Sequence, residues 1–185
     1  MTRLRSRLIA VDGVHGAAVK AAAGRLVSPA ERRHGGGVSD WDASGLFEQL
    51  VVADGRIEEI SARTLLLLYA SDLAFRLRWE IEPALAEGHL VVAAPYLDTA
   101  VAFGRAAGLP GGWLRNLLQF APLPGERHYV DRSAPRESKG PEGFVEFGCA
   151  RLTSHPLAGR QELAVRARAY LVSAAKRARA TRVGR

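Results

Sequence analysis

At 185 residues the chain is long enough to bury one proper core and too short for two. Hydrophobic residues make up 48% and charged residues 24%, a balance that excludes global disorder, and no apolar run reaches the ~18 residues of a membrane span. The formal charge of +7 raises nucleic acid as a partner, but the excess is concentrated: from Arg160 onward there are eight Lys or Arg residues and one acid, Glu162. We read 160–185 as a basic C-terminal helix and tail that complements its own macrodipole. No aromatic interleaving or nucleic-acid motif accompanies it, so neither nucleic acid nor membrane is the expected partner, although the tail leaves nucleic acid open.

The N-terminal stretch MTRLRSRLIAVDG is too short in its apolar part for a signal peptide, and a cytoplasmic protein is expected. One cysteine, Cys149, rules out an internal disulfide, and no metal or cofactor is anticipated. Residues 8–13, LIAVDG, form a continuous apolar run ending in Asp-Gly, as expected of a strand covered on both faces. A Gly/Ala-rich turn and the helical stretch AVKAAAGRL follow. Residues 29–45 are polar and glycine-rich and read as a long loop. From Ser61, a plausible N-cap, a helix runs to Glu87, closed by Gly88 and kinked by Pro83. HLVVAAPY (89–96) is a second buried strand, helices follow in DTAVAFGRAAG and PGGWLRNLLQFA, and ERHYVDRS (126–133) is a third strand. A basic loop at 132–143 precedes helix to the end. Alternating strands and helices predict a single three-layer α/β/α domain over 1–185 with a mostly parallel sheet.

Three stretches, IAVDGVHGAAVKAAAGRL, LLLLYASDLAFRLRWEIEPALAEGHLVVAAPYLDTAVAF and GLPGGWLRNLLQFA, resemble thymidylate kinases in order and spacing. The first is similar to that family's strand and phosphate loop, the second to its long helix, next strand and following acceptor motif. The resemblance implies a P-loop kinase-like fold and a two-fold dimer through helices, here through the apolar face of 61–87. It also exposes departures. Gly13 and Gly16 remain, but Ala18, Val19 and Lys20 stand where the family has glycine, the phosphate-binding lysine and the Ser or Thr that holds magnesium. Sliding the register to use Lys20 leaves Ala21 without a metal-binding oxygen. His15 replaces the loop carboxylate. Ala94-Pro95-Tyr96 replaces Asp-Arg-Tyr, and Leu73 replaces a substrate arginine after Asp72. Phosphoryl transfer depends on positioning and charge neutralisation, so these losses imply no kinase turnover.

The expected site is a crevice between Asp12–Lys20, Tyr96–Phe103 and the lid-like loop, holding a small molecule, phosphorylated ones included. Its ligand-binding candidates are Gly13, His15, Gly16, Lys20, Tyr96, Asp98, Phe103, Arg132 and Arg136, with Lys139 beside them. Each has a plain structural alternative. Asp12 is a ligand-orienting carboxylate or a turn residue, His15 a ligand-facing group or a tolerated loop residue, and Asp98 an acid–base group or the cap of the next helix. The lid cations are phosphate ligands or a solvated loop. Cys149 reads as a small buried hydrophobe, Trp79 and Trp113 as core, and Trp41 as a cover for a ligand. Three functions stay open: a non-kinase binding module for a small ligand or protein partner; a repurposed enzyme using Asp12, His15, Tyr96 and Asp98; and a divergent active nucleoside-monophosphate kinase.

Overall fold

The computed structural model describes residues 7–52, 60–131, 143–152 and 157–183. Strand β1 (Leu8–Gly13) is buried along its whole length. Its side chains alternate between two apolar clusters: Leu8 and Ala10 enter the larger one, and Ile9 and Val11 the smaller, with Val19, Ala23 and Val92. Two-faced burial is the reason the strand reads as an unbroken apolar run. Helix α1 (Gly16–Leu26) covers the smaller cluster, then α2 (Pro29–Arg33) follows, its N-terminus capped by Ser28 Oγ, which accepts from Glu31 N.

The segment 29–45 departs from the expected loop. Besides α2 it holds strand β2 (Gly37–Asp40), which pairs in parallel with β3 (Val91–Ala94), Val38 opposite Val92. The strand is short, and Val38 is its sole apolar side chain, so it carries almost no periodic signal. Helix α3 (Leu46–Val52) completes this region.

Helix α4 (Ala62–Arg76) starts where expected, with Ser61 Oγ accepting from Thr64 N at 3.1 Å. It runs through a π-helical turn at Leu77–Ile81 into α5 (Glu82–Ala86). The widened turn precedes Pro83, which has no N–H to return to the helix and whose ring needs room; Glu82 N instead reaches Leu77 O. Gly88, at φ +82°, then ends the segment in the left-handed region. Helices α6 (Leu97–Ala106) and α7 (Gly111–Leu118) lead to β4 (Glu126–Val130), which pairs in parallel with β1. The sheet order is β2-β3-β1-β4, wholly parallel, and helices on both faces make the three-layer α/β/α architecture.

Helix α8 (Phe144–Arg151) is fixed by Phe144, Val145 and Phe147, all buried in the larger cluster. Helix α9 (Leu157–Val183) packs on α6 through Leu163, Ala167 and Leu171, spaced one helical turn apart. Beyond Leu171 none of its described side chains is buried. Trp79 overturns the core expectation: it is 65% exposed, with Leu67 and Phe75 also facing out from the same helical run. Trp113 is partly buried against the core. No helix among the described residues is long and apolar enough to cross a membrane.

Candidate functional site

The C-terminal ends of parallel strands open onto the crevice where α/β folds hold ligands. Asp12 lies there at the end of β1, fully buried. Its Oδ1 accepts from Tyr96 N and Thr99 N, both at 2.9 Å, and from Thr99 Oγ1 at 2.7 Å. Thr99 Oγ1 in turn accepts from Gly13 N at 3.1 Å. Helix α6 has no cap from its own N-cap residue, Tyr96; the carboxylate from β1 takes that place. Burial, then the charge of Asp98, push the Asp12 carboxyl up to about 6, opposed by its bonds to Thr99 and Tyr96. This is neither a local turn bond nor an open ligand contact: Asp12 staples β1 to α6.

The connection from β1 to α1 is two residues long, Val14 and His15, and Val14 is buried. Gly16 already belongs to the helix. His15 is the N-cap residue but makes no side-chain cap bond. Glu146, from α8, supplies it: Oε2 accepts from Gly16 N at 3.1 Å, and Oε1 lies 3.2 Å from His15 Nδ1. Gly143, at the start of α8, touches Gly16; a Cβ there would stand 2.6 Å from Gly16 Cα. A carboxylate of the protein thus occupies the anion position at the helix N-terminus.

Glu146 is held there by aromatic packing. Phe144 lies with its ring centroid 4.5 Å from Tyr69 and 5.0 Å from Phe103, and Phe147 lies 5.2 Å from Phe47. Trp41 joins the same cluster, 4.9 Å from Phe47, and so belongs to the packing of the core and not to a ligand cover. On the β2–β3 side, Arg76 is fully buried. Its Nε donates to Ser39 Oγ at 2.9 Å, Nη2 to Ser39 O at 2.6 Å and Nη1 to Pro95 O at 3.0 Å. Ser39 Oγ donates in turn to Glu80 Oε2 at 2.6 Å. Asp72, one turn before Arg76, accepts from Asp42 N, Ser44 N and Ser44 Oγ, holding Asp42 at φ +58°.

Several anticipated ligand contacts are placed elsewhere. Tyr96 is buried, and its hydroxyl donates to Pro122 O at 2.8 Å. Phe103 is wholly buried beneath Phe144. Both follow the apolar face of α6 and its N-terminal turn, which point into the core. Lys20 reaches out to Asp40, 3.1 Å away, with most of its side chain in solvent. Asp98 is neither a cap nor free: in the first turn of α6 it accepts from Arg127 Nη1 at 3.0 Å and Tyr129 O–H at 2.7 Å. Gly13 is enclosed, a Cβ there meeting Val19 at 2.7 Å. Arg132, Arg136 and Lys139 lie outside the described residues. Cys149 is half-buried against the core, as expected of a small hydrophobe.

No protein-family model matches the chain. Individual relatives do. It is 31% identical over 114 residues to the probable thymidylate kinase of Pyrococcus abyssi, covering 59% of this chain and 56% of that protein. It is 25% identical over 127 residues to probable thymidylate kinase 2 of Saccharolobus solfataricus, covering 69% and 60%. The fold matches the crystal structure of thymidylate kinase from Ehrlichia chaffeensis with a TM-score of 0.67, over 93% of this chain and 87% of that one. The chain is a relative of the thymidylate kinases. At 14% identity the structural match establishes the P-loop kinase fold alone, and the chain spans less than two thirds of the length of the curated relatives it matches.

Val19, which the resemblance sets at the position of the phosphate-binding lysine, is buried in the smaller core cluster. Glu146 and Arg76 are the residues sequence reasoning missed. Glu146 lies 130 positions from Gly16, and no spacing links the two. Arg76 did leave a trace: it continues the buried face Leu65, Leu66, Tyr69, Leu73 of α4, where a cation needs internal partners.

Proposed function

We propose that this thymidylate kinase relative does not transfer phosphoryl groups and works as a binding module for a small ligand or a protein partner. The observation that carries this reading is Glu146 seated on Gly16 N beside His15. A triphosphate needs several backbone N–H groups curled around it, a cation and a metal-binding hydroxyl. The residues present do not fit that group. The connection is two residues long, its anion position carries a carboxylate, Val19 is core, and Ala18 and Ala21 have no oxygen to offer a metal. Like charges would meet if phosphate approached with Glu146 in place. Helix α8, which carries Glu146, is itself fixed by Phe144 and Phe147, each gaining ~2–3 kcal/mol from burial.

The test is direct. Incubation of the full chain with ATP, magnesium and a panel of nucleoside monophosphates should yield no ADP above a protein-free control. Clear turnover with any acceptor would overturn the reading in favour of a divergent kinase. The repurposed-enzyme alternative draws less support, because Asp12 and Tyr96, two of its four acid–base candidates, are buried and engaged with backbone groups. We also propose a homodimer through the outer face of α4 and the π-turn, supported by exposed Leu67, Phe75 and Trp79.

A further inference from the structure

A half-open cavity of about 450 Å³ lies beside α6, apart from Asp12 and Glu146. It lies between α6, α7 and α9, and its volume falls in the range of small-molecule sites, ~300–1,000 Å³. Arg105 from α6, Arg115 from α7 and Arg177 from α9 line it. Its single carboxylate, Asp98, is already bonded to Arg127 and Tyr129.

Two of the guanidinium groups converge. Gly111 opens α7, and a Cβ added there would stand 3.5 Å from Arg105 Nη1 and 3.9 Å from Arg115 Nη1. Two like charges thus lie within van der Waals reach of the same point beside Gly111. Arg115 makes no hydrogen bond or ion pair among the described residues, while Arg105 bonds one carbonyl, Leu109 O, at 3.3 Å. Convergent cations without a counter-ion repel each other, and an anion bridging them by charge-assisted bonds of ~2.7–2.9 Å removes that cost. The remaining wall is apolar and aromatic: Val101, Leu114 and Ala174, with Tyr170, whose ring carries the Arg105 guanidinium at 5.8 Å from its centroid.

We infer that the α6–α7–α9 cavity is a binding site for a small phosphate monoester with an aromatic or apolar body. The phosphate bridges Arg105 and Arg115, Arg177 closes the third side, and the body lies against Tyr170 and Leu114. This deepens the binding-module reading by naming a ligand class, and it leaves the absence of phosphoryl transfer untouched. ATP turnover would overturn that absence; the titrations below bear on the cavity alone.

The probes are phenyl phosphate, inorganic phosphate and benzoate, titrated calorimetrically into the full chain at low salt. Phenyl phosphate is expected to bind one per chain, more tightly than the other two. Arg115→Gln, at an exposed residue that holds nothing in the fold, should weaken it about tenfold or more. Arg78→Gln, which removes the same charge from the π-helical turn, outside the cavity lining, should leave it unchanged. Tyr170→Leu should weaken phenyl phosphate more than it weakens inorganic phosphate, because the ring both faces the aromatic body and carries the Arg105 guanidinium. Absence of saturable binding, equal losses in the Arg115 and Arg78 variants, or benzoate binding as tightly as phenyl phosphate would each overturn the inference. So would a single-stranded oligonucleotide that displaces phenyl phosphate in an Arg115-dependent way, since the groove would then serve nucleic acid.

Discussion

Asp12 shows how a carboxylate at a strand end can be taken up wholly by the fold. It sits where a crevice carboxylate would be sought, yet its acceptor oxygen is committed to the N-terminus of α6. Its raised pKa has a consequence for stability with a definite sign. The folded state holds the proton more tightly than the unfolded chain, whose carboxyl titrates near 3.8. The Asp12 contribution is therefore greatest below that value and falls as pH rises through the window up to about 6, then stays level. Asn at this position can still accept through its amide oxygen but does not titrate. Denaturant unfolding of Asp12→Asn and the parent across that window should show the variant gaining relative stability as pH increases. A difference between them that is flat with pH would contradict the assignment.

Among the elements, β1, α4 and α6 were legible in the sequence because their burial follows a simple period. β1 runs continuously apolar between two helical layers, and the run from α4 through α5 opens on a capping serine and closes on Gly88. Strand β2 was hidden because pairing with β3 and bonds from Arg76 to Ser39 hold it, and neither leaves a mark in four residues. The site was legible in its losses and opaque in its replacements. Val19 in place of a lysine can be read from one line of text, whereas Glu146 on Gly16 depends on α8 folding back across the whole domain. Helix α4 and its π-turn carry a prediction of their own. Trp79→Glu should shift the protein from dimer to monomer in analytical ultracentrifugation while thermal unfolding stays cooperative, because the residue is 65% exposed and supports little of the core. A parent protein that sediments as a monomer at tens of micromolar, on the order of ordinary assay concentrations, would end the dimer proposal.

At the scale of the whole molecule, internal partners engage the described strand ends: Glu146 at the first helix, and Arg76 with the aromatic cluster beside β2 and β3. The α/β/α layers of the P-loop kinase fold are present, and side chains of the protein pack against the described strand ends. Helix α9 contributes unevenly to that packing. Leu163, Ala167 and Leu171 anchor its first half, and Arg177 rides on the second half, where no described side chain is buried. Backbone amides past Leu171 should accordingly exchange with deuterium by cheap local openings, long before those around Ala167. An anion that ties Arg177 to the neighbouring helices would close those openings, so phenyl phosphate should slow exchange in 172–183 and nowhere else along that helix.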